Sequence, residues 1–527
     1  MINLTRLLRL VLPLLLLPGS TAHAASEFIG INTNEAVHFD SSAPFVDLFR
    51  TAEPFRESPL TRGNVDIDPQ GWVRSLNGGQ AGSYFARWLP FDTLPSGSYV
   101  VRYDGTGKLA YQESAQLVSA APGRDVIRLV PDKNNEISAA LLIQQSDPTD
   151  PLRNIRITLP GGICRGKPFE RVENEGQCGG GKYLSFEEHA QEIVFNPDFL
   201  QFMRAFRTIR FMGMSGITRN PEQSWAQRPN MQEATWGGRE GSRGVPLEIM
   251  VKLANTLGAN AWFNLPHQAD NDYVRQYAQY VQANLRPNLK AYVEYTNEVW
   301  NSVFSQAQYV QQMGLREKLD SQTLYAGLKY YAKRSREIFH IWEQVFGGTD
   351  RLVRVLSGWA NNPAVTPHIL KYADVYKHTD VFAVAPYFYA DQQRLMQAGS
   401  VNDVFSLIDS DPHYSIEQVL QAMNKQAELI KPYGVKLVAY EGGQHLVHYG
   451  TRSLKQPPNP LLLQANRDAR MEQNYIKLIS GFRKAGGALF MAFSAPRING
   501  HFGFWGVKEH INQPPAQAPK YRALMRF

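Results

Sequence analysis

From Phe206 onward the chain repeats one unit: a short β-branched or aromatic run, a loop rich in Gly, Asn and Trp, then an amphipathic stretch of helical length. The candidate strands are RTIRFMG (207–213), ANAWFNL (259–265), KAYVEYT (290–296), RLVRVLS (351–357), VFAVAPY (381–387), KLVAYEG (436–442) and ALFMAFS (488–494). Helical patterns separate them, among them 246–257, 272–285, 324–346 and 415–430. Strict alternation of strand and helix leads to a parallel sheet with right-handed crossovers, and seven such units fall one strand short of a closed (β/α)8 barrel. The missing strand is sought upstream, in EFIGINTN (27–34), with a helical turn following in APFVDLFRTA (43–52). Between that turn and Phe206 the character changes. Runs such as GSYFARWLPF, GSYVVRYDG, DVIRLVP and ISAALLIQQS are short strands punctuated by Gly, Pro, Asn and Asp. The expected fold is therefore α/β: a (β/α)8 TIM barrel with an all-β, sandwich-like module inserted after the first barrel strand. Residues 25–62 supply the first strand and helix, 63–160 the module and 161–527 the rest of the barrel. The rival arrangement, a separate N-terminal β domain with the barrel starting near residue 180, has to find another first strand.

The first 24 residues, MINLTRLLRLVLPLLLLPGSTAHA, combine a basic start (Arg6, Arg9), an apolar run, a Pro18-Gly19 break and a small-residue end. This pattern reads as a cleaved secretory signal. A membrane anchor needs about 20 apolar residues, and Pro13 interrupts a run that is already shorter. Export to the periplasm or medium is expected, with no integral membrane segment afterwards. The formal charge of +7 falls to +5 without Arg6 and Arg9. No basic run with interleaved aromatics suggests a nucleic-acid partner. The two cysteines, Cys164 and Cys178, bracket a Gly-rich charged loop, and in an exported protein they are expected to form a disulfide. No histidine stands at ligand spacing within that loop, so a metal site is not expected there.

Two carboxylates carry the chemistry. Glu298 in AYVEYTNEVWN ends the fourth barrel strand, and Glu441 in KLVAYEGGQ ends the seventh. Active sites of such barrels lie at the C-terminal strand ends, so the two side chains are expected to converge over one mouth. Glycoside hydrolysis needs such a pair: one acid protonates the leaving oxygen, and one carboxylate attacks or activates water. Alone, Glu298 also reads as an acid favoured at a helix N-terminus, and Glu441 as a loop residue before two turn glycines.

Here the sequence resembles clan A of the glycoside hydrolases, retaining (β/α)8 enzymes with an Asn-Glu pair ending strand four and a Glu ending strand seven. The resemblance covers roughly residues 27–60 and 180–510, and VEYTNEVW also carries an acid, Glu294, four residues before Glu298. It implies that Glu298 is the acid/base, Glu441 the nucleophile and Asn297 the donor to the sugar 2-hydroxyl. It further implies that Arg210 sits near the nucleophile and that the Tyr387 hydroxyl orients it. The alternatives are an Arg210–Glu294 ion pair inside the barrel and a core role for Tyr387. Val299 follows the pair where several clan families have Pro, and no single family's signature stands out.

Trp225, Trp236, Trp300, Trp359 and Trp505 fall in loops or strand ends expected on the C-terminal face, with Phe388 and Tyr389 nearby. An aromatic-lined cleft suits stacking of sugar rings, and Trp300, Trp359 and Trp505 are taken as substrate-binding candidates. Arg228 and Arg239 could meet an acidic sugar group. A solvated loop balanced by Glu222, Glu233 and Glu240 explains them better. The expected function is an exported retaining O-glycosidase that needs no cofactor or metal and acts on a poly- or oligosaccharide. A non-catalytic polysaccharide-binding protein and a transglycosylase using the same residues are the alternatives. The β module either binds glycan or braces the barrel; without identifiable exposed aromatics in register, bracing is favoured.

Overall fold

The computed structural model describes residues 27–58, 64–238, 241–447, 459–500 and 503–527. Residues 1–24, expected from the sequence to be a secretory signal, and Arg239 and Glu240 lie outside the described residues. Eight parallel strands close a barrel: β1 (Ile29–Asn32), β2 (Thr208–Arg210), β3 (Asn260–Leu265), β4 (Ala291–Tyr295), β5 (Leu352–Ser357), β6 (Val381–Val384), β7 (Lys436–Ala439) and β8 (Gly487–Ala492). β1 pairs with β2 on one side, Asn32 opposite Arg210, and with β8 on the other, Ile31 opposite Ala492. The strand preceding the β module is thus the eighth stave, and the arrangement with a barrel starting near residue 180 is excluded. The turn expected over 43–52 is a short 3-10 helix, Leu48–Thr51, capped by the Asp47 side chain.

The period of two sorts every barrel strand into an outer and an inner set. Outward residues such as Ile29, Ile31, Phe263, Val293 and Leu437 join the large core beneath the helical layer. Inward residues form a separate packed cluster in the lumen, including Trp262, Val353, Val355, Ala383, Val438, Leu489 and Met491. The barrel interior is therefore filled, as side-chain layers fill such barrels generally. Gly30 is one inward position where a side chain cannot fit: a Cβ there would collide with Met491 Sδ and lie 2.8 Å from the Thr208 carbonyl oxygen. Toward the C-terminal ends the inward residues turn polar: Asn32, Arg210, Asn264, Glu294 and then Tyr440.

Between β1 and β2 lie two four-stranded antiparallel sheets. One runs in the order Arg56–Glu57, Ala81–Pro90, Glu136–Ser146, Gly107–Glu113; the other runs Arg153–Thr158, Ser98–Asp104, Arg124–Leu129, Ala115–Ala121. Alternate buried residues, Ala139, Leu141 and Ile143 in one sheet and Val101, Ile127, Ile155 and Ile157 in the other, feed the same core as the barrel's outer surface. Across the sheets, the Tyr111 hydroxyl donates to Asp125 at 2.8 Å.

The module is stitched to the chain that leaves β1. Asp47 accepts from the Ile157 amide at 3.0 Å, the Leu159 amide donates to the Val46 carbonyl, and Phe49 stacks on Trp72 at 6.0 Å. Cys164 and Cys178 form a disulfide beside the small hairpin Gly162–Cys164 and Tyr183–Ser185. Among the described residues no helix is long and apolar enough to cross a membrane.

Candidate active site

Arg210, on the last inward position of β2, organises the C-terminal mouth. It is fully buried, and its N–H groups reach four side chains. Nε and Nη2 donate to Glu294 Oε2 at 3.2 and 2.9 Å. Nη1 donates to Asn32 Oδ1 and to Glu441 Oε2, both at 3.2 Å. Nη2 also donates to Asn297 Oδ1 at 3.0 Å. Arg210 is therefore both the interior partner of Glu294 and the contact of Glu441. Glu294 is held from the neighbouring strand as well, accepting from Trp262 Nε1 at 2.9 Å and Asn264 Nδ2 at 2.7 Å.

Glu298 reaches the same mouth through an unusual backbone. Thr296 and Glu298 both take positive φ, 55° and 44°, a region that non-glycine residues enter at a cost of order 1–3 kcal/mol and mostly at functional sites. The two left-handed turns lie on either side of Asn297 just beyond β4. They bring the Glu298 carboxyl to the Tyr440 hydroxyl, which donates to Oε1 at 2.8 Å, and to Asn301 Nδ2, which donates to Oε2 at 2.9 Å. Tyr440 immediately precedes Glu441 at the end of β7, so the two carboxyls are tied through adjacent residues of one strand end. Tyr387 donates from its hydroxyl to Glu441 Oε1 at 3.1 Å. Asn297 Nδ2 donates to Thr218 Oγ1 at 3.2 Å.

Three buried carboxyls, Glu294, Glu298 and Glu441, thus surround one guanidinium. Burial pushes Glu298 up. Burial and then the Glu298 charge push Glu441 up to about 8, against the pull of Arg210 and the Tyr387 hydroxyl. The Glu298 charge thus acts on Glu441, and the two carboxyls together retain a proton at neutral pH. Tyr387 and Tyr440, buried beside both carboxyls, are raised well above the usual phenol value and stay protonated donors.

The aromatic candidates separate into two groups. Trp300 and Trp359, in the loops after β4 and β5, stack on each other with ring centres 5.3 Å apart and planes 10° apart. Trp505 donates from Nε1 to His445 Nδ1 at 3.1 Å and packs against Phe493, just beyond β8. His445 in turn lies against Tyr387, at 5.3 Å, so Trp505 is linked by rings to the Glu441 side of the mouth. Trp236 does not belong to the mouth. It is buried edge-on against Phe45 with Arg50 over its ring, filling the seam between barrel and module. Phe388 is likewise a core residue, packed on Tyr475. Trp225 packs against Tyr273, and Arg228 covers its face while Nη2 pairs with Glu248 at 2.9 Å.

Asn32, Asn264, Trp262, Asn301 and Tyr440 complete the network without having been singled out from the sequence. Four of them stand at the last or second-last inward position of a strand, or one residue before a candidate carboxylate, but only the closed barrel shows which positions are inward. A wide depression at the opposite mouth is lined by residues that begin the strands, such as Thr208, Asn260, Val381 and Lys436, whereas Glu298 and Glu441 follow strand ends.

No protein-family model and no curated protein matches the chain. Solved structures similar to it include the GH51 arabinofuranosidase from Xanthomonas axonopodis pv. citri, with 14% identity and a TM-score of 0.33 over 64% of each chain. A family 51 α-L-arabinofuranosidase from Bifidobacterium longum shows 13% identity and a TM-score of 0.41 over 63% of this chain and 66% of that one. A family 5 xyloglucanase from Paenibacillus pabuli shows 12% identity and a TM-score of 0.39 over 70% and 96%. The chain spans just under two thirds of the length of the first two.

Proposed function

We propose that this protein is an exported retaining glycoside hydrolase that cleaves O-glycosidic bonds of a poly- or oligosaccharide by double displacement. The observation that carries the reading is the buried Glu298/Glu441 pair at the ends of β4 and β7, with Arg210 bound to only one of its members. The partners decide the roles. A permanent cation 3.2 Å from Glu441 is a stronger bias toward ionisation than the neutral hydroxyl and amide that meet Glu298. The shared proton therefore rests on Glu298, although burial and the Glu298 charge act most strongly on Glu441.

In the first step Glu441 attacks the anomeric carbon while Glu298 gives its proton to the leaving oxygen. The glycosyl ester on Glu441 is then cleaved by water that Glu298, now a carboxylate, deprotonates. Discharge of Glu441 on ester formation removes its repulsion of Glu298, which favours the ionised base that the second step requires. Asn297, positioned by Arg210 and Thr218, offers its amide toward the sugar 2-hydroxyl. Trp300, Trp359 and Trp505 supply apolar faces for neighbouring sugar rings. The mature enzyme follows removal of residues 1–24.

Reducing-end release from a polysaccharide panel tests the reading. Wild type is expected to release sugar from at least one polymer, with Glu441→Gln and Glu298→Gln reduced by several orders of magnitude on the same polymer. Equal release by Glu441→Gln would overturn it.

A further inference from the structure

The strand Ala81–Pro90 of the β module is broken at one place. Leu89 pairs with Ile137 and Ala86 with Ala139, so Arg87 and Trp88 together face the single residue Ser138. Trp88 takes a φ of 55°, and its amide donates to Ser138 Oγ at 3.0 Å. In a regular strand, consecutive side chains point to opposite faces; a bulge re-aims one of them. Here it brings both to one side. The Arg87 guanidinium lies 4.4 Å from the Trp88 ring centre and 4.6 Å from that of Tyr84, two aromatic faces against one cation. Among the described residues no carboxylate pairs with Arg87, and the planar edge of its donors is not taken up by other side chains. The nearby Glu113 accepts instead from the Tyr84 hydroxyl at 2.5 Å.

This cluster adjoins the barrel mouth. The Arg87 amide donates to the carbonyl of His38, in the loop that leaves β1 at its C-terminal end. His38 and Phe39 pack against Tyr84 and Trp88, with ring centres 6.3 Å apart in both cases. Three residues before His38, Glu35 pairs with Arg497 at 3.1 Å, and the Arg497 guanidinium lies over Trp505. The loop leaving β1 therefore makes contacts toward Trp505 at Glu35 and toward the Arg87 cluster at His38 and Phe39. Burial, then the charges of Arg87 and Arg56, push His38 down to about 4, leaving an uncharged imidazole beside the guanidinium at neutral pH.

We propose that Arg87, held between Tyr84 and Trp88, is a distal subsite that binds the carboxylate of a uronic acid unit in the polymer, so that the β module takes part in substrate recognition. A guanidinium stacked on aromatic faces keeps its fork of donors for bidentate recognition of a planar carboxylate, and the flanking rings offer apolar faces to the sugar that carries it. The proposal builds on the reading of the barrel mouth as a glycan cleft, and its test is separable from that reading.

Calorimetric titration of the full-length Glu441→Gln protein with tetragalacturonate, an alginate tetrasaccharide, cellotetraose and a sulfated dextran oligosaccharide tests it. At least one oligouronate is expected to bind more tightly than cellotetraose. Arg87→Gln and Trp88→Ala are each expected to weaken that binding about tenfold, the loss of a charge-assisted contact, with Arg153→Gln on the same module unchanged. Unaltered circular dichroism spectra establish that the variants fold. Absence of oligouronate binding, binding to the sulfated sugar alone, or affinity indifferent to Arg87→Gln would overturn the subsite. Arg87-dependent binding without hydrolysis by wild type would leave the subsite standing and remove the glycosidase reading; hydrolysis without oligouronate binding would do the reverse.

Discussion

At the scale of single residues, the geometry turns on one cation among three buried carboxyls. Removing a buried partner leaves uncompensated charge, so Arg210→Met is expected to lower stability by ~3–5 kcal/mol, read as a fall in thermal midpoint, with loss of activity. The shared proton gives a second expectation. Above about 8, the value to which Glu441 is pushed, the pair loses its last proton. No acid then remains for the leaving oxygen, and kcat/KM should fall with an alkaline limb near that pH. The Tyr440 hydroxyl favours the ionised form of Glu298. Tyr440→Phe should therefore raise the Glu298 pKa and move the limb to higher pH; a limb that stays or moves down contradicts the pairing.

Much of this network could be read from the sequence. Glu298, Asn297, Glu441, Arg210 and Tyr387 were reached through strand ends and resemblance. Asn32 and Tyr440 were missed because a polar residue closing an apolar strand looks the same whether it faces lumen or solvent. Only barrel closure fixes which side is inward, and thus that Asn32 lies opposite Arg210.

At the scale of elements, the strand pattern carried far because parallel strands buried on both faces leave long apolar or β-branched runs. The ends were less legible: the run at 207–213 contracts to Thr208–Arg210 and that at 381–387 to Val381–Val384, where loops take over the hydrogen bonds. Aromatic placement was legible only in part. Trp236 sits in a loop, as expected of a subsite residue, yet Phe45 and Arg50 of the chain leaving β1 cover it and make the ring core.

Closure between β1 and β8 depends on the bare Gly30 backbone beside Met491. Gly30→Ala should cost about 1–3 kcal/mol or more by overpacking, measured by denaturant unfolding; an unchanged midpoint contradicts the inward placement. The Cys164–Cys178 bridge closes a sequence separation of 14. In the chain-entropy account its reduction should cost on the order of 3 kcal/mol, seen as a lower thermal midpoint in dithiothreitol.

At the scale of the whole molecule, barrel and module share one hydrophobic core, joined through Phe45, Trp236, Phe49 and Trp72. The module is more than an appendage on a loop. Differential scanning calorimetry is expected to show one cooperative transition, whereas two resolved transitions would mean separable units. The same intimacy sets the β module beside the mouth, where its bulged strand meets the loop from β1.

The central claim is that Glu441 attacks and Glu298 serves as acid and then base. Proton NMR of the anomeric signal in the first-formed product, followed before mutarotation on a polymer that the enzyme cleaves, tests it most directly. Double displacement predicts a product with the configuration of the bond that was cut. A first product of the opposite configuration would show direct attack by water and contradict the nucleophilic role of Glu441.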